Sequence, residues 1–245
     1  MASDLLRIIG TGISFQDPEI ATEFGYQGCD MQAELLPTNL KRRTSVATKT
    51  AFAAAERACR NASIAPSELP TIFTSSLGEI DITDRLCSDI GRDNYPLSPT
   101  RFHNSVHNTA SGYWSIAVGS AHPAMAIAGY QDSFALGLLE AWCQIKCVTN
   151  QLLLVCYEET PPELLLPNHG WFSCAVAFVL SGVDKHGCTI SRPYATQHGD
   201  DTQYALSSPT LAAIDLLKAI KQNTTGVIRI SPAGATEWFT QLVAA

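Results

Sequence analysis

The side chains best placed for chemistry lie in one run, Phe102-His103-Asn104-Ser105-Val106-His107-Asn108-Thr109-Ala110-Ser111-Gly112-Tyr113-Trp114-Ser115-Ile116-Ala117. A polar turn feeds an apolar helix there, which is the layout of a nucleophile elbow. At a helix N-terminus the dipole and the unpaired N–H groups stabilise negative charge, so a nucleophile at that point is activated for acyl transfer. The run offers hydroxyls and imidazoles but no thiol, since none of the cysteines falls between Cys87 and Cys143. A hydroxyl attacks only with a base beside it. Ser111 with His107 as that base is therefore one reading, an active acyltransferase or esterase. In the other, His107 donates a hydrogen bond that fixes the turn, while His103 and Asn108 satisfy buried backbone groups.

No second constellation competes. The cysteines at 29, 59, 87, 143, 147, 156, 174 and 188 form no CxxC pair, so no zinc or thioredoxin-type site is expected, and no metal or cofactor. Cys156 and Cys174 sit in apolar runs and read as small buried hydrophobes; Cys143 and Cys147, one helical turn apart, read as core packing. Gly10 and Gly12 are too few for a dinucleotide fingerprint. Glu79, Asp81 and Asp84 read as acids at a helix start, where the dipole favours them. His186 and His198 lie in polar surroundings and read as surface residues.

Composition narrows the class. Charged residues make up 16% of the chain, against roughly 25% in an ordinary soluble domain. So sparse a charge leaves a broad face to be covered by another chain. The net charge of −7 argues against nucleic acid, whose phosphates need clustered Lys and Arg. The basic run Lys41-Arg42-Arg43 reads either as a solvated helix start or as a contact for an acidic carrier or a partner subunit. Neither a signal-peptide pattern nor an apolar stretch of about 18 residues appears. The expectation is a cytoplasmic protein with reduced thiols and no membrane span.

The elements that must position the elbow follow from periodicity. Residues 6–15, an apolar run with glycines, read as a strand followed by a turn, 44–61 as an alanine-rich helix, 71–75 as a strand and 81–90 as a helix. A loop at 94–99 leads to the elbow and a helix over 110–120. Another helix follows at 132–146. Residues 151–157 are nearly all apolar, as in a strand covered on both faces, and 171–180 form a further strand. After Gly182 the chain is more polar, with a strand at 188–192, a helix at 209–221 and a strand at 226–231. The alternation predicts a layered α/β domain around a mixed, mainly parallel sheet.

Several motifs resemble the β-ketoacyl synthase-like proteins of the thiolase fold, and among them the chain-length factor subunits of aryl polyene and related type II polyketide synthases. They are Thr74-Ser75-Ser76-Leu77-Gly78-Glu79-Ile80-Asp81, Pro96-Leu97-Ser98-Pro99-Thr100-Arg101-Phe102, Ser105-Val106-His107-Asn108 with Gly112-Tyr113-Trp114-Ser115-Ile116-Ala117, Ala128-Gly129-Tyr130-Gln131-Asp132-Ser133-Phe134-Ala135-Leu136-Gly137-Leu138-Leu139-Glu140-Ala141, and the strand end Glu158-Glu159. The likeness runs over about 7–182 and is loose beyond. It implies a thiolase-like α-β-α fold, with a ketosynthase-like half at 1–182 and a truncated second half of the same domain at 183–245.

Condensing members of that family hold a Cys at the elbow, which accepts an acyl chain from a carrier protein. Aligning the helix residues Gly112 and Ile116 puts Thr109 in the place of that Cys; aligning the preceding Thr-Ala pair puts Ser111 there. The resemblance therefore implies no catalytic residue. It implies an inactive chain-length factor that heterodimerises with a full β-ketoacyl carrier-protein synthase and shapes its acyl or polyene tunnel. The acyl carrier protein would dock through that partner. Phe102, His103, Ser105, His107, Asn108, Thr109, Ser111 and Tyr113 would face the tunnel. The strand at 151–157, through Leu152, Leu153, Leu154, Val155 and Tyr157, would be the edge that joins the two subunits.

Overall fold

The first strand, β1, spans Leu5–Phe15 and includes Gly10 and Gly12. Two short helices follow it, α1 (Pro18–Glu23) and α2 (Thr38–Lys41), and then a long one, α3 (Val46–Ala62). The computed structural model, which describes residues 5–91, 96–167, 170–183, 186–197, 207–232 and 236–244, gives the glycines their reason. α3 lies so close on β1 that a Cβ at Gly12 would stand 2.0 Å from the Ala54 carbonyl oxygen, and one at Gly10 2.4 Å from that of Ala58. The alanines of α3 serve the same contact. Ala47, Ala51, Ala53, Ala54, Ala55 and Ala58 are all buried.

The chain continues through β2 (Thr71–Thr74), α4 (Ile80–Ile90), α5 (Pro99–Asn104), α6 (Thr109–Val118), β3 (Ala124–Ile127), α7 (Ser133–Cys147), β4 (Gln151–Glu158) and β5 (Cys174–Ser181). After residue 182 come β6 (Cys188–Ser191), β7 (Tyr194–Gln197), α8 (Pro209–Lys221), β8 (Gly226–Arg229) and β9 (Thr236–Val243). All the strands join one sheet in the order β3-β2-β4-β5-β1-β6-β9-β7, with β8 on β9. The sheet is mixed, as expected, but its parallel part is confined to β3, β2 and β4. From β4 onward the pairings are antiparallel. A parallel return needs a crossover, usually a helix, and none is described between β4 and β5.

Helices cover both faces. α3 and α6 lie on one side and α7 and α8 on the other, so β4 must be apolar at every position. Leu152, Leu154 and Cys156 feed the core under α7 and α8, with Phe134, Phe178 and Leu217. Leu153, Val155 and Tyr157 feed the core under α3 and α6, with Phe52, Phe73 and Trp114. Cys156 and Cys174 are buried, but Cys143 and Cys147 are exposed on α7 rather than packed in the core.

One expectation fails here. β4 is no edge: it pairs with β2 on one side and β5 on the other, and Leu152, Leu153, Leu154, Val155 and Tyr157 are fully buried. An all-apolar strand is the mark of a central position, and these residues cannot meet a partner chain. Among the described strands, β3 stands at one end of the sheet, pairs with β2 alone and leaves Ala124 and Met125 exposed; β7 stands at the other end. Among the described residues, no helix is long and apolar enough to cross a membrane.

The close approach of α3 makes a stability prediction. Gly12→Ala drives a methyl into backbone, and overpacking costs typically about 1–3 kcal/mol even where side chains can yield. We expect a loss of at least about 3 kcal/mol in urea unfolding, or no soluble protein. Gly112→Ala, where an added Cβ meets nothing within 4 Å, should gain about 0.5–1 kcal/mol from helix propensity.

Candidate functional site

The elbow sits where β2 and β4 end. Ser98 caps α5, accepting the Arg101 N–H, and Pro99 occupies the first helical turn, where its fixed φ suits a helix start. An ion pair from Arg101 to Asp89 ties α5 to α4. Asn104 closes α5 and is buried; its Nδ2 donates to the Arg43 carbonyl (2.8 Å) and its Oδ1 accepts from the Tyr113 hydroxyl (2.6 Å). This hub was missed in the sequence, where His103 and Asn108 were expected to bond buried backbone. Those two are exposed, and Asn108 makes no side-chain cap to α6.

The hydroxyls at the start of α6 are already committed. Thr109 Oγ1 lies 2.8 Å from the Val106 carbonyl oxygen and 3.0 Å from that of Asn104. Ser111 Oγ donates to the Asn108 carbonyl at 3.0 Å. His107 Nε2 is 2.9 Å from the Ser75 carbonyl oxygen; a carbonyl only accepts, so Nε2 carries the proton there. Each hydroxyl thus donates to backbone, and the imidazole holds a turn. The structure brings His107, Thr109 and Ser111 within one turn but does not join Ser111 to His107 as nucleophile and base. Ser105 Oγ donates back to the Phe102 carbonyl at 2.9 Å, and Phe102 itself is 68% exposed. Trp114 and Phe134 are buried core, as read, and Tyr113 is half-buried. His186 is exposed; His198 lies outside the described residues.

Beneath the elbow lies a group of buried acids. Glu158, at the end of β4, accepts the Ser75 hydroxyl (3.0 Å) and the N–H groups of Ser76 and Leu77. It thereby shapes the turn whose Ser75 carbonyl holds His107. Glu159 accepts the N–H groups of Ala47 (3.2 Å) and Asp81 (2.9 Å), in the first turns of α3 and α4. It caps two helices at once. Glu79 was expected to serve its own helix; instead Oε1 accepts the Thr48 hydroxyl across the gap to α3 at 2.7 Å. Its Oε2 is buried without a partner among the described residues.

Burial dominates the titration of these groups. It pushes Glu79 up to about 7, against hydrogen bonds from Ser45 and Thr48 that pull it down, with Glu159 and Asp81 adding repulsion. It pushes Glu158 up to about 8, against its three donors, and raises Glu159 less far, against the two helix N–H groups. In the sequence, two acids directly after an apolar strand were the available signal. Among the described residues, no group of three or more His, Cys, Asp or Glu is arranged to hold a metal ion.

The family model described as the N-terminal domain of β-ketoacyl synthases matches residues 18–238. Solved structures share the fold at low identity. The ketosynthase ApeO in complex with its chain length factor ApeC from Xenorhabdus doucetiae aligns with a TM-score of 0.74 at 19% identity, covering 96% of this chain and 98% of that one. The ishigamide ketosynthase/chain length factor aligns at 0.74 and 12%, covering 98% and 99%. AntDE:AntF, a type II polyketide synthase acyl-carrier protein in complex with its ketosynthase bound to the hexaketide, aligns at 0.75 and 10%, covering 98% and 99%. No curated protein matches the sequence. These likenesses identify the thiolase-like fold.

Glu79 gives a pH-dependence with a definite sign. Its folded pKa, about 7, lies above the ordinary 4.5, so the folded state holds the proton more tightly. The associated stability is complete below about pH 4.5 and is lost as pH rises through 7. Glu79→Gln keeps an oxygen for Thr48 and cannot ionise. Denaturation series should show the variant gaining on the natural protein by roughly 3 kcal/mol between pH 4.5 and 8. Parallel curves would mean that Glu79 does not titrate in this range.

Proposed function

The chain belongs to the β-ketoacyl synthase family, and we propose that it is a non-condensing member, a chain-length factor that pairs with a full ketosynthase and shapes the tunnel in which the acyl chain grows. The observation that carries this reading is the state of the elbow. No thiol stands there, the Thr109 and Ser111 hydroxyls donate to carbonyls, and His107 is held by Ser75. An unassisted hydroxyl, with a pKa far above 7, is a poor nucleophile. Bond making then falls to another polypeptide, with the carrier protein docking on that partner.

The surface around the elbow supports a partner. Phe102 and Val106 on the elbow, Ile116 on α6, Met125 on β3 and Tyr130 after it are large apolar residues left exposed, Ile116 by 72%. An open strand edge beside apolar side chains is a place where sheets extend between chains. The reading therefore assigns the joint to β3 rather than β4. Phe102, with His103 and Ser105 around it, would reach toward the partner's tunnel, while Thr109, Ser111 and Tyr113 hold the helix behind. Control is by space: a pocket that cannot take a further methylene discriminates by roughly 1–3 kcal/mol. The aryl polyene pathways are the proposed setting.

The experiment is reconstitution with a full ketosynthase and carrier protein. The pair should extend malonate-derived chains, and the Phe102→Ala complex, purified as the assembled pair before assay, should lengthen the products by at least one two-carbon unit. An acyl adduct on Ser111 of the isolated chain, seen by intact-protein mass spectrometry with acyl thioesters, would instead support an esterase or acyltransferase using Ser111 and His107.

A further inference from the structure

A cleft of about 370 Å³ opens at the far end of α3 from the elbow, lined by Thr11 and Ile13 of β1, Arg60 and Asn61 of α3, and Leu217 and Lys221 of α8. It exists because β6 pairs with β1 only from Leu5 to Ile8. Beyond Ile8 that edge of β1 is left without a strand, and the last turns of α3 and α8 flank it. Arg57 covers part of the edge, its guanidinium donating to the carbonyls of Ile13 (3.0 Å) and Asp30 (2.7 Å) and to the Asp30 carboxylate. These bonds commit three of its five N–H donors.

The other two cations of the lining each have a partner. Arg60 is held by Glu34 through one nitrogen at 3.3 Å. Lys221 rests its ammonium 3.9 Å from the centre of the Tyr26 ring. With Asn61 and Thr11 they line the cleft from three elements; Asp30 and Glu34, paired with Arg57 and Arg60, are not among the lining residues. Three cations thus share one cleft in a chain of net charge −7.

We infer that this cleft binds the phosphate group of a small organic phosphate ester. The lining draws its polar side chains from three elements, β1, α3 and α8, which suits a tetrahedral oxyanion better than a planar carboxylate, and Arg with Lys is a common phosphate-binding set. The cleft exceeds the needs of a bare ion, and Ile13 and Leu217 with the side-chain-free Gly12 offer an apolar floor for the organic part. The site is independent of the elbow: Ala47, at the elbow end of α3, and Asn61 are separated by roughly 20 Å of helix.

Isothermal titration of the full chain at fixed pH and ionic strength tests this, with inorganic phosphate, n-butyl phosphate and chloride as probes. Saturable binding of both phosphates is expected, with butyl phosphate several-fold tighter than the ion. Lys221→Met and Arg60→Gln, at exposed positions where folding is not at stake, should each weaken it by about tenfold. Phosphate behaving as chloride does, or variants that bind as the natural protein does, would overturn the assignment.

Discussion

Where β4 leaves the sheet, two adjacent acids enter the interior together, and an ionisable group without water must find hydrogen-bond partners. Glu158 and Glu159 find theirs among backbone N–H groups that would otherwise go begging: the turn after β2, and the first turns of α3 and α4. The need is mutual. The helices need an acceptor at their N-termini, and the acids need donors in a dry place. The elbow depends on this exchange, because His107 is anchored on Ser75, whose hydroxyl is fixed by Glu158. The placement of α6 over the sheet is set by a carboxyl on a strand it does not follow in sequence.

Long regular elements were legible in the sequence. The alanine-rich helix expected over 44–61 is α3 at Val46–Ala62, and the apolar run at 151–157 is β4 at Gln151–Glu158. Both carry strong patterns because both are buried along their length. Short elements were not legible. α5, β3 and β7 were missed, as was the eight-residue β9; strands depend on neighbours for their hydrogen bonds, and nothing in a four-residue segment such as Ala124–Ile127 announces a strand until β2 lies beside it. The purpose of the β1 glycines was hidden for a related reason. A glycine accepts a turn or a close helix equally well, and only the helix itself decides which.

The elbow was legible as a feature but not as a set of contacts. Its types of side chain, its turn and its helix start were all apparent. What the hydroxyls bond to was not, because Thr109 and Ser111 choose between a base and a carbonyl according to fractions of an ångström. Asn104 was overlooked beside the more reactive His103, although burial makes it the busier residue. The misplaced joint has a different cause. Apolar content reveals that a strand is covered on both faces, while being an edge is a property of what lies to either side, and that is topology.

The unpaired side of β3 has a consequence for the living cell. A copy made in excess of whatever covers that strand offers an open template to any stray extended segment, and the apolar residues beside it make release slow. Under the proposed pairing, orphaned copies would be the natural prey of chaperones and proteases. The dosage of this polypeptide would then be coupled to that of its companion, with surplus removed by quality control rather than stored.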